Sequence, residues 1–170
     1  MLLKVNFLII AAAALIPLII GFLWYNPKTF GTAWMKASGV TPETATGKGM
    51  NMGLVFVLTY LCSFFIGIVV NFLVIHQFGF LSTIAGEPNV MDKGSDINNY
   101  ALDFLTKYGD RFHTFKHGAF HGTIAGLFFA TPVIAVNAMF ERKGFKYVAI
   151  NGGFWIVSIA LMGGVICAFS

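Results

Sequence analysis

The sequence predicts an all-α integral membrane bundle of four transmembrane helices, with an interfacial amphipathic helix before the third. Three observations carry that reading. Apolar residues make up 57% of the 170 and charged residues 11%, against roughly 45–50% and about 25% in soluble globular domains. Four apolar runs, at 6–25, 53–75, 118–140 and 147–169, are each long enough to cross hydrocarbon as helix. Each is almost free of Asp, Glu, Lys and Arg, as expected of helices that satisfy their own backbone hydrogen bonds in lipid. With no internal repeat and no linker, 1–170 reads as a single four-span domain.

The first run is read as a retained span. Trp24-Tyr25-Asn26-Pro27 is not a small-residue cleavage site, and the run exceeds the apolar core of a signal peptide. An even number of spans puts both chain ends and the connection 76–116 on one side, the terminus side. The connections 26–52 and 141–146 share the other, the turn side. Lys28, Lys36, Lys48, Arg142, Lys143 and Lys146 fall on the turn side, and Lys4, Lys93, Lys107, Arg111 and Lys116 on the other. This small excess favours a cytoplasmic turn side, although Lys4 argues the other way.

After the first span, "WYNPKTFGTAW" brings Trp24, Tyr25, Phe30 and Trp34 to the turn side, where aromatic side chains anchor at a membrane interface. Pro27 ends the helix and Gly31 permits a tight turn, so the segment re-enters or lies along the interface. "SGVTPETATGKG" reads as a flexible solvated loop. The second span carries Ser63 and Gly67 four residues apart.

On the terminus side, "EPNVMDKGSD" is loop-like, and Ser95 or Asp96 caps the interfacial helix. Its apolar stripe is Ala101, Leu102, Leu105, Tyr108, Phe112 and Phe115, opposed by Asp103, Lys107, Asp110 and Arg111. It delivers the chain to the third span.

In the third span Gly118, Gly122 and Gly126 recur every four residues, followed by Ala130; the fourth span carries Ala160, Gly164 and Ala168. Such ridges let membrane helices pack backbone to backbone. Packing within one bundle and self-association both fit. The short turn at 141–146 makes the last two spans antiparallel neighbours, with Asn137 and Asn151 at similar depth and predicted to hydrogen-bond. Pro132 should kink the third span and free the Phe128 carbonyl, and Pro17 the Ala13 carbonyl in the first. Trp155 falls near mid-membrane, where its indole N–H needs a partner such as a freed carbonyl.

All four histidines gather at the terminus side. His113, His117 and His121 share one face if their helix is continuous, and His76 ends the second span near the same level. One reading is polar packing, since an imidazole costs less to bury than a charged group and can bridge helices. Another is a metal held by His117 and His121, with Asp110, Glu87 or Cys167 as the conceivable additional ligands. A third is a proton-sensing or ligand-binding cluster. No cofactor is expected under the leading reading, and a transition metal at His117 and His121 is the alternative.

The charge of +4 comes from eleven basic and seven acidic residues spread among loops, without the dense cluster that tracks a phosphate backbone, so nucleic acid is not expected as a partner. The lipid bilayer is the expected surrounding, with a second copy or another membrane protein as partner. Cys62 and Cys167 fall inside spans and read as small buried apolar residues. No nucleophile with its base, phosphate loop or paired carboxylates is present. The leading function is therefore non-enzymatic: a membrane component that binds a ligand or partner, or self-associates. The alternative is a metal-dependent membrane enzyme using the histidine cluster. Proton-coupled transport is disfavoured, because the spans lack the Asp, Glu or Lys usual in such relays.

"GFLWYNPKTFGTAWMK", "HGAFHG" and "ATPVIAVNAMFERKGFKYVAINGGFWIVSIALMGG" together resemble the bacterial membrane-protein family known as domain of unknown function 1761. The likeness covers nearly the whole chain, apart from the loop from Leu81 to Asn99. By matching position, Trp24, Tyr25, Pro27, Gly31, Trp34, His117, Gly118, His121, Gly122, Asn137, Glu141, Arg142, Asn151 and Trp155 carry the family pattern. The resemblance implies a four-span architecture in the bacterial inner membrane and no established activity.

Overall fold

The computed structural model describes residues 3–41, 44 and 51–170. Part of the loop read as flexible, including Lys48, lies outside the described residues. Within them the chain forms helices and no strand: α1 (Phe7–Ala13), α2 (Ile16–Trp24), α3 (Gly31–Ser38), α4 (Met52–Val74), α5 (Gln77–Ile84), α6 (Asp96–Tyr108), α7 (Phe115–Ala125), a π-helical turn (Gly126–Ala130), α8 (Thr131–Phe140) and α9 (Phe145–Phe169). Four helical stretches are long and apolar enough to cross a membrane: Phe7–Trp24, Met52–Val74, Phe115–Phe140 and Phe145–Phe169. The chain is thus a helical membrane protein, and these stretches are its four spans.

The fourth span is the hub. It packs against each of the other three and against α3, and half of its most apolar window is buried, against 11–22% for the others. Large apolar side chains of the outer spans, such as Phe22, Val69, Phe128 and Phe129, are exposed, as suits surfaces solvated by hydrocarbon. The glycine ridge of the third span is used against this hub. A Cβ on Gly118 would stand 2.0 Å from the Gly163 carbonyl oxygen, one on Gly122 2.3 Å from that of Ile159, and one on Gly126 2.5 Å from the Ile156 Cα. The ridge is therefore filled from within the chain. Gly67 of α4 lies against Ile10 and Met162, and Gly164 against the Phe115 ring.

Both prolines act near where the sequence places them, in different ways. Asn6 caps α1 by accepting from the Ile9 N–H, the first span breaks at Ala14–Leu15, and Pro17 sits in the first turn of α2. The Leu15 N–H turns to the Ala12 carbonyl, and the Tyr60 hydroxyl donates to Ala11 at 3.2 Å. In the third span the ladder widens into the π-turn just ahead of Pro132. The Thr131 N–H and hydroxyl both turn to the Gly126 carbonyl, the hydroxyl at 2.8 Å. A π-turn re-satisfies backbone groups that a proline would orphan.

Two elements differ from the sequence reading. The connection after α4 is not all loop: α5 stacks its Phe80 on Phe104 of α6, ring centroids 3.7 Å apart. In α6, capped by Ser95 accepting from the Asn98 N–H, the inward face carries Asn98, Ala101, Phe104 and Leu105, while Leu102 is exposed. Cys62 is also exposed on the outer surface, and only Cys167 is buried.

Candidate metal centre

Asn6 Nδ2 donates to the Phe169 carbonyl at 3.5 Å, which puts the ends of the first and fourth spans together. The histidines lie at this end of the bundle. The second span stops at Val74 because Ile75 leaves the helix for an extended conformation. His76 then begins α5 with no side-chain capping bond, leaving its ring free. The next residue, Gln77, is buried and donates from Nε2 to the carbonyls of Tyr108, Gly109 and Arg111 at 2.9, 2.8 and 3.0 Å. That amide ties the end of α6 and the following loop to the end of the second span.

The helix does not continue from α6 into the third span. The chain turns at Phe112 with φ +68°, His113 is not helical, and Thr114 caps α7 by accepting from the His117 N–H at 3.3 Å. His113, expected on the face of His117 and His121, therefore stands apart. Its half-buried ring leaves Nε2 without a partner, and it lines a separate pocket with Lys4, Asp110 and Ser170.

His76, His117 and His121 do converge. One ring nitrogen from each lies within 4.8 Å of the others, and His76 Nε2 and His117 Nε2 are 3.0 Å apart. The rings meet edge to face, with centroids 4.5–5.0 Å apart. His117 and His121 are one turn apart on α7, while Gly118 and Gly122, the next residue round in each case, face the hub. Phe112 backs the cluster, stacked on His117 at 5.0 Å and 15°. The conceivable extra ligands do not join: Cys167 donates its thiol to the Phe112 and Val74 carbonyls, and neither Asp110 nor Glu87 belongs to the group. The sequence marks Phe112 and Arg111 only as members of the two faces of the interfacial helix, and does not mark Gln77 at all. Their roles come from a loop conformation that no local pattern announces.

The chemistry of this donor set is definite. Three imidazoles offer neutral nitrogen ligands, and zinc sites with three protein ligands keep a fourth position open. At a Zn–N length of about 2.0–2.1 Å, two nitrogens 3.0 Å apart subtend an angle near 90°. Small ring rotations would open it to a tetrahedral value.

At the opposite end of the bundle the aromatic motif forms an intramolecular clamp. Trp24 Nε1 donates to the Ile150 carbonyl at 3.1 Å. The Tyr25 hydroxyl donates to Asn151 Oδ1 at 2.9 Å, and Asn151 Nδ2 to the Tyr147 carbonyl at 2.8 Å. Trp34 meets Tyr25 edge-on at 5.4 Å. Burial, with a smaller effect of Tyr147, pushes the Tyr25 hydroxyl up to about 12. Pro27 starts the reversal, and Gly31 is required by close approach, since a Cβ there would lie 2.2 Å from the Tyr25 carbonyl oxygen. The expected Asn137–Asn151 bond does not form: Asn137 is exposed on the outer face of α8, and Tyr25 satisfies Asn151 instead. Trp155 lines an apolar cleft; among the described residues it is the Trp24 indole that finds a backbone carbonyl.

The model of a protein family described as "Protein of unknown function (DUF1761)" matches residues 8–167, nearly the whole chain. The chain belongs to the DUF1761 family. No curated protein and no solved structure matches it. The histidine cluster, the glycine ridge and the aromatic clamp all lie within the DUF1761 match.

Proposed function

We propose that this DUF1761 protein is a multi-pass protein of the cell membrane that binds one divalent transition-metal ion through His76, His117 and His121, at the membrane face where the chain ends meet. The observation that carries this reading is the convergence of three ring nitrogens within 4.8 Å, one from the head of α5 and two from α7 of the third span. With the helix broken at Phe112, α7 supplies only His117 and His121. The third donor comes because Ile75 breaks the second span and Gln77 pins the neighbouring loop. Three neutral nitrogens suit Zn²⁺ or another borderline metal of the first transition row. The fourth position is then free for a further ligand, so the centre would bind a small molecule or act as a Lewis acid.

Packing alone is the second reading, and the His76–His117 separation favours it specifically. At 3.0 Å it equals a hydrogen bond between neutral tautomers, which would fasten the second span to the third without any ion. Elemental analysis of protein purified in detergent, followed by titration with Co²⁺ as a spectroscopic probe, separates the two. One metal per chain, lost in His76→Ala, His117→Ala and His121→Ala, supports the centre. No stoichiometric metal and no Co²⁺ binding leave packing as the role.

A further inference from the structure

An apolar cleft of about 460 Å³ runs between the second, third and fourth spans, lined by none of the histidines themselves, and its volume falls within the ~300–1,000 Å³ of ordinary small-ligand pockets. It starts one turn below the histidines. Ala125 follows His121 by four residues on α7, and Leu73 precedes His76 by three. Along α4 the lining runs from Leu73 to Phe65, about 12 Å at ~1.5 Å per residue. That is close to one leaflet of a hydrocarbon core ~30 Å thick. Of the third span, α7 packs against α4, whereas Phe129 and Ala130 of the π-turn and Val133 and Ile134 of α8 line the cleft.

Beside the triad lies a cation without a counter-ion. Arg111 shares a groove with His76, and its guanidinium lies over the Tyr108 and Phe112 rings at 5.3 and 5.7 Å. Among the described residues the only ion pair is Lys107–Asp103. An exposed guanidinium held over aromatic faces is suited to a carboxylate or phosphate.

We infer that the triad, Arg111 and the cleft form one site for an amphiphile with an oxyanion head group: the head lies between the histidines and Arg111, and one hydrocarbon chain fills the cleft. This rests on the triad being a ligand site, and it names the class of molecule that takes the open position. Free fatty carboxylates and anionic phospholipids share the required chemistry. A neutral alcohol of the same chain length lacks it.

Trp155 lines the cleft and reports on it. The protein in phosphatidylcholine nanodiscs is titrated with mid-chain dibrominated stearate, phosphatidate, stearyl alcohol and phosphatidylcholine, and quenching is read as the difference between the wild type and Trp155→Phe. The expected result is saturable quenching by stearate, by phosphatidate or by both, which identifies the source, at about tenfold lower mole fraction than by the alcohol. Arg111→Gln, at an exposed position, should erase that tenfold preference. Ala125→Phe should abolish saturable quenching with metal content unchanged. Equal quenching by alcohol and stearate, or an oxyanion preference untouched by both Arg111→Gln and His121→Ala, overturns the inference. Stoichiometric metal without oxyanion preference would sink this site and spare the metal centre. An oxyanion preference in metal-free protein that depends on Arg111 would do the reverse.

Discussion

Gly118 and Gly163 meet backbone to backbone: a Cβ on the first would lie 2.0 Å from the carbonyl oxygen of the second, and one on the second 2.5 Å from that of the first. Neither atom can yield by a side-chain rotation, so any added carbon must push two helices apart. Because His117 is the residue before Gly118, this contact also sets the distance at which α7 presents its imidazoles.

Gly118→Ala should therefore destabilise the bundle by about 1–3 kcal/mol, the usual cost of overpacking. Gly79→Ala, where an added Cβ meets nothing within 4 Å, should be neutral or stabilising. Unfolding in mixed detergent, followed by circular dichroism, compares them; equal effects would mean that the third and fourth spans are not held by the ridge.

The Tyr25–Asn151 bond links the first and fourth spans across 126 positions. A double-mutant cycle with Tyr25→Phe and Asn151→Ala should give a coupling of about 0.6 kcal/mol and no more than ~1.7, the range for such bonds in membranes. A coupling indistinguishable from zero would remove the clamp.

The same hydroxyl has a pH signature. Its folded-state value of about 12 lies above the unfolded value of about 10, so between them the folded chain keeps a proton that the unfolded chain has released. Stability from this group is complete below pH ~10 and falls as pH rises through the window. The near-ultraviolet difference between wild type and Tyr25→Phe should show one tyrosine titrating near 12. Ionisation at the ordinary value would contradict the burial.

Metal at about 100 times its Kd should raise the unfolding free energy by ~2.7 kcal/mol. His121→Ala should cancel that gain and leave the metal-free stability nearly unchanged. Thermal melts with and without Zn²⁺ or a chelator measure both; an equal loss of stability in metal-free protein would assign the histidine to packing.

Gln77→Leu should free the three carbonyls that share its two amide hydrogens, at ~0.5–1.5 kcal/mol for each of the two bonds lost. Faster hydrogen exchange confined to 109–113 is the expected readout. Unchanged exchange would show that Cys167 and Thr114 suffice to hold the loop.

Much of this architecture is legible in the sequence, because hydrocarbon solvation writes itself into composition. Hydropathy places the four spans at 6–25, 53–75, 118–140 and 147–169, and the helices run Phe7–Trp24, Met52–Val74, Phe115–Phe140 and Phe145–Phe169. Glycines at intervals of four announce a close contact, but the partner carbonyl of Gly163 is 45 residues away and leaves no local mark. Asn151 was legible as a buried polar group in need of company. That Tyr25 rather than Asn137 supplies it depends on how the first span docks. The histidines show the same division. His117 and His121 share a face by periodicity alone, whereas His76 joins them and His113 leaves through the backbone at Ile75 and Phe112. A residue such as Phe112 at φ +68° is a tertiary outcome that no propensity predicts.

The central position of α9 has a consequence for biogenesis. The helix that every other span leans on is the last of them to leave the ribosome, so three apolar segments must wait in the bilayer with their glycine and serine faces uncovered. Chaperoning by the insertion machinery, or transient pairing with neighbouring nascent chains, would have to cover those faces until α9 arrives and His76, at the head of α5, and the histidines of α7 are drawn to a common spacing.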